Sequence, residues 1–151
     1  MLINTRQFGE IEINDEKKIT FTQGLPGFEE LSTYALLQPN LEIPFSFLQS
    51  LDVTEISFIV VNPFLFYPNY IVDLTDAVKD ELQIEKEEEV SVWCMVSVRE
   101  SIQDATINLL APVVVNVKGK IARQVILHQS PYQIKHRLID DMHQAIAPTE
   151  V

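Results

Sequence analysis

The sequence predicts an all-β domain, mainly antiparallel, that forms a small β-barrel-like or sandwich domain with one or two short helices. Roughly ten short segments alternate apolar and polar residues, with turn residues between them. Only one segment has the apolar spacing of an amphipathic helix. The chain has 151 residues, 46% of them hydrophobic, which is enough for one sizeable core in one domain.

The first predicted element is a hairpin of two half-buried strands. Ile11 and Ile13 alternate with acidic residues, Ile19 and Phe21 alternate with polar residues, and the polar residues 14–17 lie between the two pairs. Residues 24–27 (Gly-Leu-Pro-Gly) then predict a tight turn, because proline fixes φ and glycine can take positive φ.

Three further strands are predicted before the helix. They cover residues 34–37, 45–50 and 56–61, and the last is apolar on both faces, which is typical of a central strand. Leu74, Val78 and Leu82, each four residues apart, then predict a short helix. Thr75 can cap its N-terminus.

The clearest strand covers residues 90–99, where alternate positions share one apolar face: Val90, Val92, Cys94, Val96 and Val98. Residues 121–127 predict a last strand, which follows a turn at 118–120 and can pair with residues 113–117.

Residues 105–117 read as buried β-structure interrupted by a proline. Their odd-numbered positions from Ile107 to Val117 are apolar and predict one core-facing side, whereas the other side is mixed. Pro112 has no N–H for a sheet ladder, so it predicts a bend between two short strands. Asn108 and Asn116 either satisfy backbone groups freed at that bend or face a partner.

Residues 1–132 are expected to form the single barrel domain, and 133–151 a C-terminal tail that is helical or loosely ordered. In the tail, a helical stripe would combine Ile134, Leu138, Ile139 and Met142, but the segment is terminal and polar.

The charge excludes nucleic acid as a direct partner. The chain has 22 acidic and 11 basic residues, a formal net charge of −11, and nucleic-acid affinity depends on clustered lysine and arginine. Residues 73–89 contain eight acids and two lysines, a net charge of −6. This acidic segment is either a solvated face or a field that attracts a basic partner.

A cytoplasmic protein without membrane contact is expected. Cys94 is the single cysteine, so an intrachain disulfide is impossible. No apolar run approaches the ~20 residues that a membrane helix needs.

The sequence predicts no catalytic, cofactor or metal site. Cys94 with His128 as its base, Ser50 with Asp52, and the three histidines at 128, 136 and 143 all lack the spacing or surroundings that such chemistry needs. Two alternatives stay open. One is a small-ligand-binding β-barrel with a cavity around Trp93 and Phe58, and the other is an enzyme that uses Cys94 or a carboxylate pair.

Five ordered motifs resemble one family. They are residues 24–29 (Gly-Leu-Pro-Gly-Phe-Glu), 44–50 with Pro-Phe and Leu-Gln-Ser, 58–70 with Phe58, Asn62, Pro63 and Tyr70, 106–116 with its two asparagines, and 124–132 with Gln-Val-Ile-Leu and Tyr132. Together they resemble the flagellar assembly factor FliW over residues 2 to 132.

This resemblance implies a non-catalytic β-barrel-like protein that switches between partners in the bacterial cytoplasm. One partner is flagellin, whose termini are amphipathic helices. The other is CsrA, an RNA-binding repressor of flagellin translation, which FliW proteins antagonise beside rather than in its RNA site. A groove for a flagellin helix would involve Phe45, Leu48, Phe58 or the aromatics near Tyr70.

Within the matching motifs, polar and aromatic positions are the predicted partner contacts. They are Phe45, Gln49, Ser50, Asn62, Tyr70, Asn108 and Asn116. The turn residues 25–28 and Leu109 are predicted to determine the fold instead.

Overall fold

The computed structural model describes residues 1–39 and 42–138. Its strands are β1 (Leu2–Thr5), β2 (Gly9–Glu12), β3 (Lys18–Phe21), β4 (Thr33–Leu37), β5 (Phe45–Ser50), β6 (Ser57–Val61), β7 (Val90–Ser97), β8 (Thr106–Ile107), β9 (Val113–Asn116), β10 (Ile121–Gln124) and β11 (His136–Arg137). One α-helix, α1 (Asp76–Glu81), and four 3-10 turns complete the described secondary structure. The predicted fold class is confirmed.

In the described part of the chain, seven strands close into a barrel in the order β3-β4-β5-β6-β7-β9-β10. The neighbouring pairs from β3 round to β10 are antiparallel. The barrel closes where β10 pairs with β3 in parallel, with Ile121 opposite Thr20 and Ala122 opposite Phe21. This parallel pair is called the seam below.

The barrel interior is filled with side chains. Each of the seven strands contributes alternate residues to one apolar cluster: Ile19, Phe21, Tyr34, Leu36, Leu48, Phe58, Val60, Trp93, Met95, Val113, Val115 and Ala122. Alternation is the expected consequence of the period-two side-chain pattern of a strand in a closed barrel. Leu25, Phe28 and Leu31 from the segment between β3 and β4 close one end of this core.

A second apolar cluster lies on the outer face of the barrel. The outward residues of β6, β7 and β9, such as Val61, Cys94 and Val114, pack against residues from 66–82, 105–109 and 125–138. The apolar face that the sequence predicts for β7 therefore packs outside the barrel, while Trp93 and Met95 face the interior. Val98 lies beyond the end of β7 and is 41% exposed.

The bend at Pro112 is confirmed, but the predicted single core face across it is wrong. Residues 106–107 and 113–116 both pair with β7, at its two ends, and residues 108–112 loop out between them. Ile107 and Leu109 pack in the outer cluster, whereas Val113 and Val115 pack inside the barrel. The alternation of side chains between the two faces of a strand does not continue through a loop, because the chain leaves the sheet and then re-enters it.

The predicted hairpin between residues 11–13 and 19–21 is also wrong. β2 pairs with β1, and β3 pairs with β4 and β10. Asn14 accepts a hydrogen bond from the Glu16 N–H at 3.0 Å and caps a 3-10 turn, which carries the chain from the small hairpin into the barrel. Gly9, at φ +65°, and Thr5 form the turn that joins β1 to β2.

The tight turn and the helix are confirmed. The Phe28 N–H donates to the Leu25 carbonyl at 2.8 Å, and Gly27 has φ +85°. The Thr75 hydroxyl oxygen accepts from the Val78 N–H at 3.2 Å and caps α1.

The first residues of the predicted tail belong to the outer layer. His136 and Arg137 form β11, which pairs with β8, and the Leu138 side chain is fully buried. His136 and Arg137 are extended because they pair with the edge that β8 offers, and Leu138 packs in the outer cluster. Ile139, Met142 and the rest of the predicted tail lie outside the described residues.

Glu81, at the end of α1, connects the helix to the seam. Its carboxylate pairs with the Arg123 guanidinium of β10 at 2.9 Å and accepts hydrogen bonds from the Thr22 hydroxyl and the Gln23 amide, which follow β3. Charge-assisted bonds of this kind are stronger than neutral ones. Glu81 therefore ties both seam strands to the outer layer.

Replacing Glu81 by alanine should lower the free energy of unfolding by about 1 kcal/mol, because the pair is partly exposed and solvent screens it. For a chain of this size that corresponds to a melting temperature about 2–4 °C lower. Thermal denaturation followed by circular dichroism measures the change. Glu88→Ala is the matched control, since Glu88 is exposed and should leave the melting temperature unchanged; equal losses in both variants would contradict the role of the seam contact.

Candidate partner-binding surface

The turn after β6 presents apolar side chains to solvent. Phe64 is 40% exposed, Leu65 60% and Ile71 62%. These three residues are called the aromatic surface below, after the rings that support it. Exposed apolar residues that lie together are typical of interaction sites.

Asn62 shapes this surface. Its side-chain oxygen accepts a hydrogen bond from the Phe64 N–H at 3.0 Å and caps the 3-10 turn Pro63–Leu65. Pro63 is buried beneath the turn. The backbone that carries Phe64 and Leu65 is thus fixed at both the cap and the proline.

Tyr70 supports the surface from below. Its hydroxyl donates to the Leu109 carbonyl at 2.6 Å, and its ring lies 5.8 Å from the Phe64 ring and 4.7 Å from the Tyr132 ring. The Tyr132 hydroxyl oxygen in turn accepts from the Ile71 N–H at 2.9 Å. Burial raises the pKa of Tyr70, so its hydroxyl remains protonated and donates.

Asn108 and Phe45 lie near the same surface. The Asn108 side-chain oxygen accepts from the N–H groups of Leu110 and Ala111 at 3.1 and 3.0 Å, which fixes the loop that follows β8. Phe45 pairs with Val61, the residue before Asn62, and packs partly buried against the outer cluster. Of the predicted contact residues, Phe45 therefore lies opposite the residue before Asn62, and Tyr70 bonds to the loop that Asn108 fixes.

Gln49 and Ser50 lie at the other end of β5. Gln49 is fully buried; its amide nitrogen donates to the carbonyls of Ser50, Thr54 and Ile56 at 3.0, 2.9 and 3.3 Å. Its oxygen accepts from the Arg6 N–H at 3.0 Å and so holds the β1-β2 hairpin against the barrel.

Ser50 fixes the start of the turn that joins β5 to β6. Its hydroxyl oxygen accepts from the N–H groups of Asp52 and Val53 at 3.1 and 2.9 Å. Ser50 therefore satisfies groups of its own turn. The Asp52 carboxylate accepts from the Thr33 N–H and hydroxyl, so it ties this turn to the start of β4.

Asn116 lies apart from both groups, behind α1. Its amide donates to the carbonyls of Leu82 and Gln83 at 2.7 and 3.2 Å, and its oxygen accepts from the N–H groups of Lys118 and Gly119. All four hydrogen-bonding positions of this buried amide are used. Asn108 thus satisfies backbone groups at the bend before Pro112, as the first of the two sequence interpretations predicts. Asn116 does not act at that bend; it satisfies groups of the turn after β9 and of the chain after α1.

The filled interior limits two sequence hypotheses. Leu48 and Phe58 belong to the interior cluster, so they do not line a groove for a partner helix. The Phe58 ring packs at 5.4 Å from the Phe28 ring and 6.4 Å from the Tyr34 ring, so it belongs to the packed part of the interior, and it does not line the pocket that Trp93 lines.

The candidate nucleophile Cys94 is buried and stays protonated. Burial raises the pKa of Cys94 to about 12, so its thiol stays protonated near neutral pH. Residues 1–39 and 42–138 contain no group of three potential metal ligands; His143 lies outside them. In the same ranges, no helix is long and apolar enough to cross a membrane.

Six of the eight acids in residues 73–89 are exposed. The other two are engaged: Glu81 at the seam and Glu89, whose carboxylate accepts from the N–H groups of Glu85 and Lys86 at 3.0 Å. Those two hydrogen bonds lower the pKa of Glu89. The segment begins at Asp73, directly after the aromatic surface, so an acidic field adjoins the apolar side chains along the chain.

Sequence reasoning missed the support that residues 132–138 give to this surface. The Tyr132 ring meets the Tyr70 ring edge to face, and the Tyr67 hydroxyl donates to the Arg137 carbonyl at 2.8 Å. His136 lies 5.7 Å from the Tyr67 ring, and its Nε2 accepts from the Gln133 N–H at 2.9 Å. The alternate positions of Tyr132, Ile134 and His136 are typical of a strand and could have indicated this support. The position of the segment near the end of the sequence favoured a tail instead.

Comparison with known proteins identifies the relatives. A family model described as "FliW protein" matches residues 2–138. The flagellar assembly factor FliW of Bacillus pumilus is 42% identical over 138 residues, which cover 91% of this chain and 96% of that protein. The corresponding protein of Alkaliphilus metalliredigens is 37% identical over 145 residues, covering 95% and 90%. A solved structure described as "Crystal structure of the flagellar assembly factor FliW" superimposes with a TM-score of 0.85 at 40% identity, covering 91% of this chain and 96% of that one.

Replacing Gln49 by leucine should lower the free energy of unfolding by about 2 kcal/mol, because buried backbone groups lose their partners. The melting temperature should fall by about 4–8 °C. Gln7→Leu is the control, since Gln7 is exposed in the hairpin turn. If Gln49→Leu melts at the wild-type temperature, its amide does not hold the hairpin.

The free energy of unfolding should decrease as the pH falls from about 7 to about 5. Burial lowers the pKa of His136, so the unfolded chain takes up this proton before the folded protein does. His136→Gln keeps an acceptor but cannot titrate, so it should flatten this part of the pH profile. Urea denaturation at several pH values measures the slope. The exposed His128, replaced by glutamine, is the control; an unchanged slope in His136→Gln would refute the assignment.

Proposed function

Because this chain belongs to the FliW family of flagellar assembly factors, we propose that it works in the cytoplasm as a non-catalytic partner switch in flagellum assembly. It binds flagellin in a chaperone-like way and alternatively binds the RNA-binding repressor CsrA. Flagellin occupies it while flagellin accumulates; after export, the freed protein captures CsrA and permits flagellin translation. The observation that carries the proposal is a filled barrel that presents an apolar surface on a fixed turn.

The aromatic surface supports flagellin binding. Phe64, Leu65 and Ile71 are exposed apolar side chains on a backbone that Asn62 and Tyr70 hold in place. A preorganised apolar surface loses little entropy when a partner docks. An amphipathic flagellin helix would lay its apolar face on these side chains.

The charge supports CsrA antagonism beside the RNA site. The chain has a net charge of −11, and the exposed acids of residues 73–89 adjoin the aromatic surface. A docked acidic protein weakens phosphate binding at a neighbouring basic surface through its field. Direct overlap with the RNA is not required for this effect.

The seven predicted contact residues take two roles in this proposal. Phe45, Asn62, Tyr70 and Asn108 form or support the surface that a partner touches. The side chains of Gln49, Ser50 and Asn116 hold their own loops, so their effect on a partner passes through loop conformation.

The alternative of a small-ligand-binding β-barrel receives less support as the main function. Side chains from all seven strands fill the barrel interior, as described above. A cavity of about 210 Å³ lies at one end of the barrel. Pockets for drug-sized ligands are larger, at about 300–1,000 Å³.

The double variant Phe64→Ala/Leu65→Ala should bind flagellin at least about tenfold more weakly, since central apolar anchors each contribute about 1–2 kcal/mol. Both side chains are exposed, so the melting temperature should stay within about 2 °C of the wild type. Isothermal titration calorimetry with purified flagellin and, separately, with CsrA measures the affinities.

Leu2→Ala is the matched control, because Leu2 is 66% exposed but lies on the β1-β2 hairpin. If the double variant binds both partners with wild-type affinity, the aromatic surface is not the binding surface. Failure of the wild-type protein to bind either partner would refute the proposed function itself. If the double variant loses affinity for CsrA but not for flagellin, the two partners bind different surfaces, and the aromatic surface is not the flagellin surface.

A further inference from the structure

The two ends of the barrel differ. The segment between β3 and β4 closes one end with Leu25, Phe28 and Leu31. The other end, where β3 and β10 begin and β4 finishes, opens into a pocket of about 210 Å³. Its apolar walls include the inward residues Ile19, Leu36, Trp93 and Val115.

Two lysines lie at this open end. Lys17 precedes β3 and Lys120 precedes β10, and both line the pocket. Neither ammonium has an ion-pair partner among the residues that the structure describes. Glu16 is the one carboxylate among the lining residues, so the described lining carries a net charge of +1 in a protein of net charge −11.

The size of the pocket limits what can enter it. A buried apolar cavity of about 150 Å³ accommodates a benzene molecule. A pocket of about 210 Å³ therefore has room for one aromatic ring with a short polar arm. The apolar walls suit the ring, and an ammonium group at the pocket lining suits an anionic arm.

We propose that this open end of the barrel binds small aromatic monocarboxylates, with the ring against Trp93 and Leu36 and the carboxylate between Lys17 and Lys120. The site is separate from the aromatic surface, which belongs to the outer layer. The proposal goes beyond the partner switch and does not depend on it. Because the lysines are partly or fully exposed, salt should weaken the binding.

The single tryptophan provides a direct test. The chain has one Trp, so a ¹H–¹⁵N correlation spectrum contains one indole N–H signal, and that indole lines the pocket. Phenylacetate is the charged probe and phenylacetamide is its neutral control of the same shape. Phenylacetate should shift the indole signal in a saturable way, with a Kd at least about fivefold lower than that of phenylacetamide.

Variants assign the difference to the lysines. In Lys17→Gln/Lys120→Asn the two probes should bind equally; asparagine is chosen because residue 120 has φ +58° and asparagine tolerates that conformation. Lys79→Gln, an exposed lysine of α1 outside the pocket lining, should keep the wild-type preference. Thermal melts establish that each variant is folded.

Three results would overturn the proposal. The first is the absence of a saturable shift with phenylacetate up to about 10 mM, and the second is equal affinity for both probes in the wild type. The third is a preference for phenylacetate that survives in the double lysine variant. None of these results bears on flagellin or CsrA binding, so the proposed function stands or fails separately.

Discussion

The fold depends on the closure of one sheet by a short parallel seam. Only two residue pairs of β10 and β3 are in register there, and flanking hydrogen bonds from the Thr20 and Thr22 N–H groups to the carbonyls of Lys120 and Ala122 extend the pairing. A closed barrel has no free strand edge, so the sheet surrounds the interior side chains, and Leu25, Phe28 and Leu31 cover them at one end. The ion pair of Glu81 with Arg123 ties the outer layer to this point, which couples the surface features to barrel closure.

Buried amides hold the loops that surround the barrel. Gln49 and Asn116 each bond to backbone groups of segments distant in sequence, while Asn62 and Asn108 each fix a turn beside the aromatic surface. These side chains act as substitutes for ladder bonds where the chain leaves the sheet.

Local patterns predicted much of this structure, and long-range pairing was beyond them. The helix cap at Thr75 and the turn at residues 24–27 follow from local chemistry, and both are confirmed. The pairing partners of β3 do not follow from local chemistry. The alternation in residues 19–21 shows that a strand exists, but it does not show which strands it pairs with. For the same reason, the sequence placed residues 107–109 and 113–115 on one face, because their apolar residues are all odd-numbered. In the structure the two groups lie in different clusters.

The candidate site was predictable to a similar degree. Tyr70 was a predicted contact but is buried, whereas Phe64, one of the aromatic residues near it, is exposed. The sequence could not show that Tyr132 and His136 would support this turn, because the contacts depend on β11 pairing with β8. Nor could it bring Lys17 and Lys120 to one opening, since only barrel closure makes them neighbours.

The seam joins residues about 100 positions apart, as Thr22 and Ala122 illustrate. A ribosome that adds about 5–20 residues per second needs roughly 5–20 s to make the intervening chain. During that interval the nascent β3 has no β10 to cover its edge, and the early hydrophobic segments cannot be enclosed. The growing sheet therefore keeps an open edge until β10, the last strand of the barrel, has been synthesised.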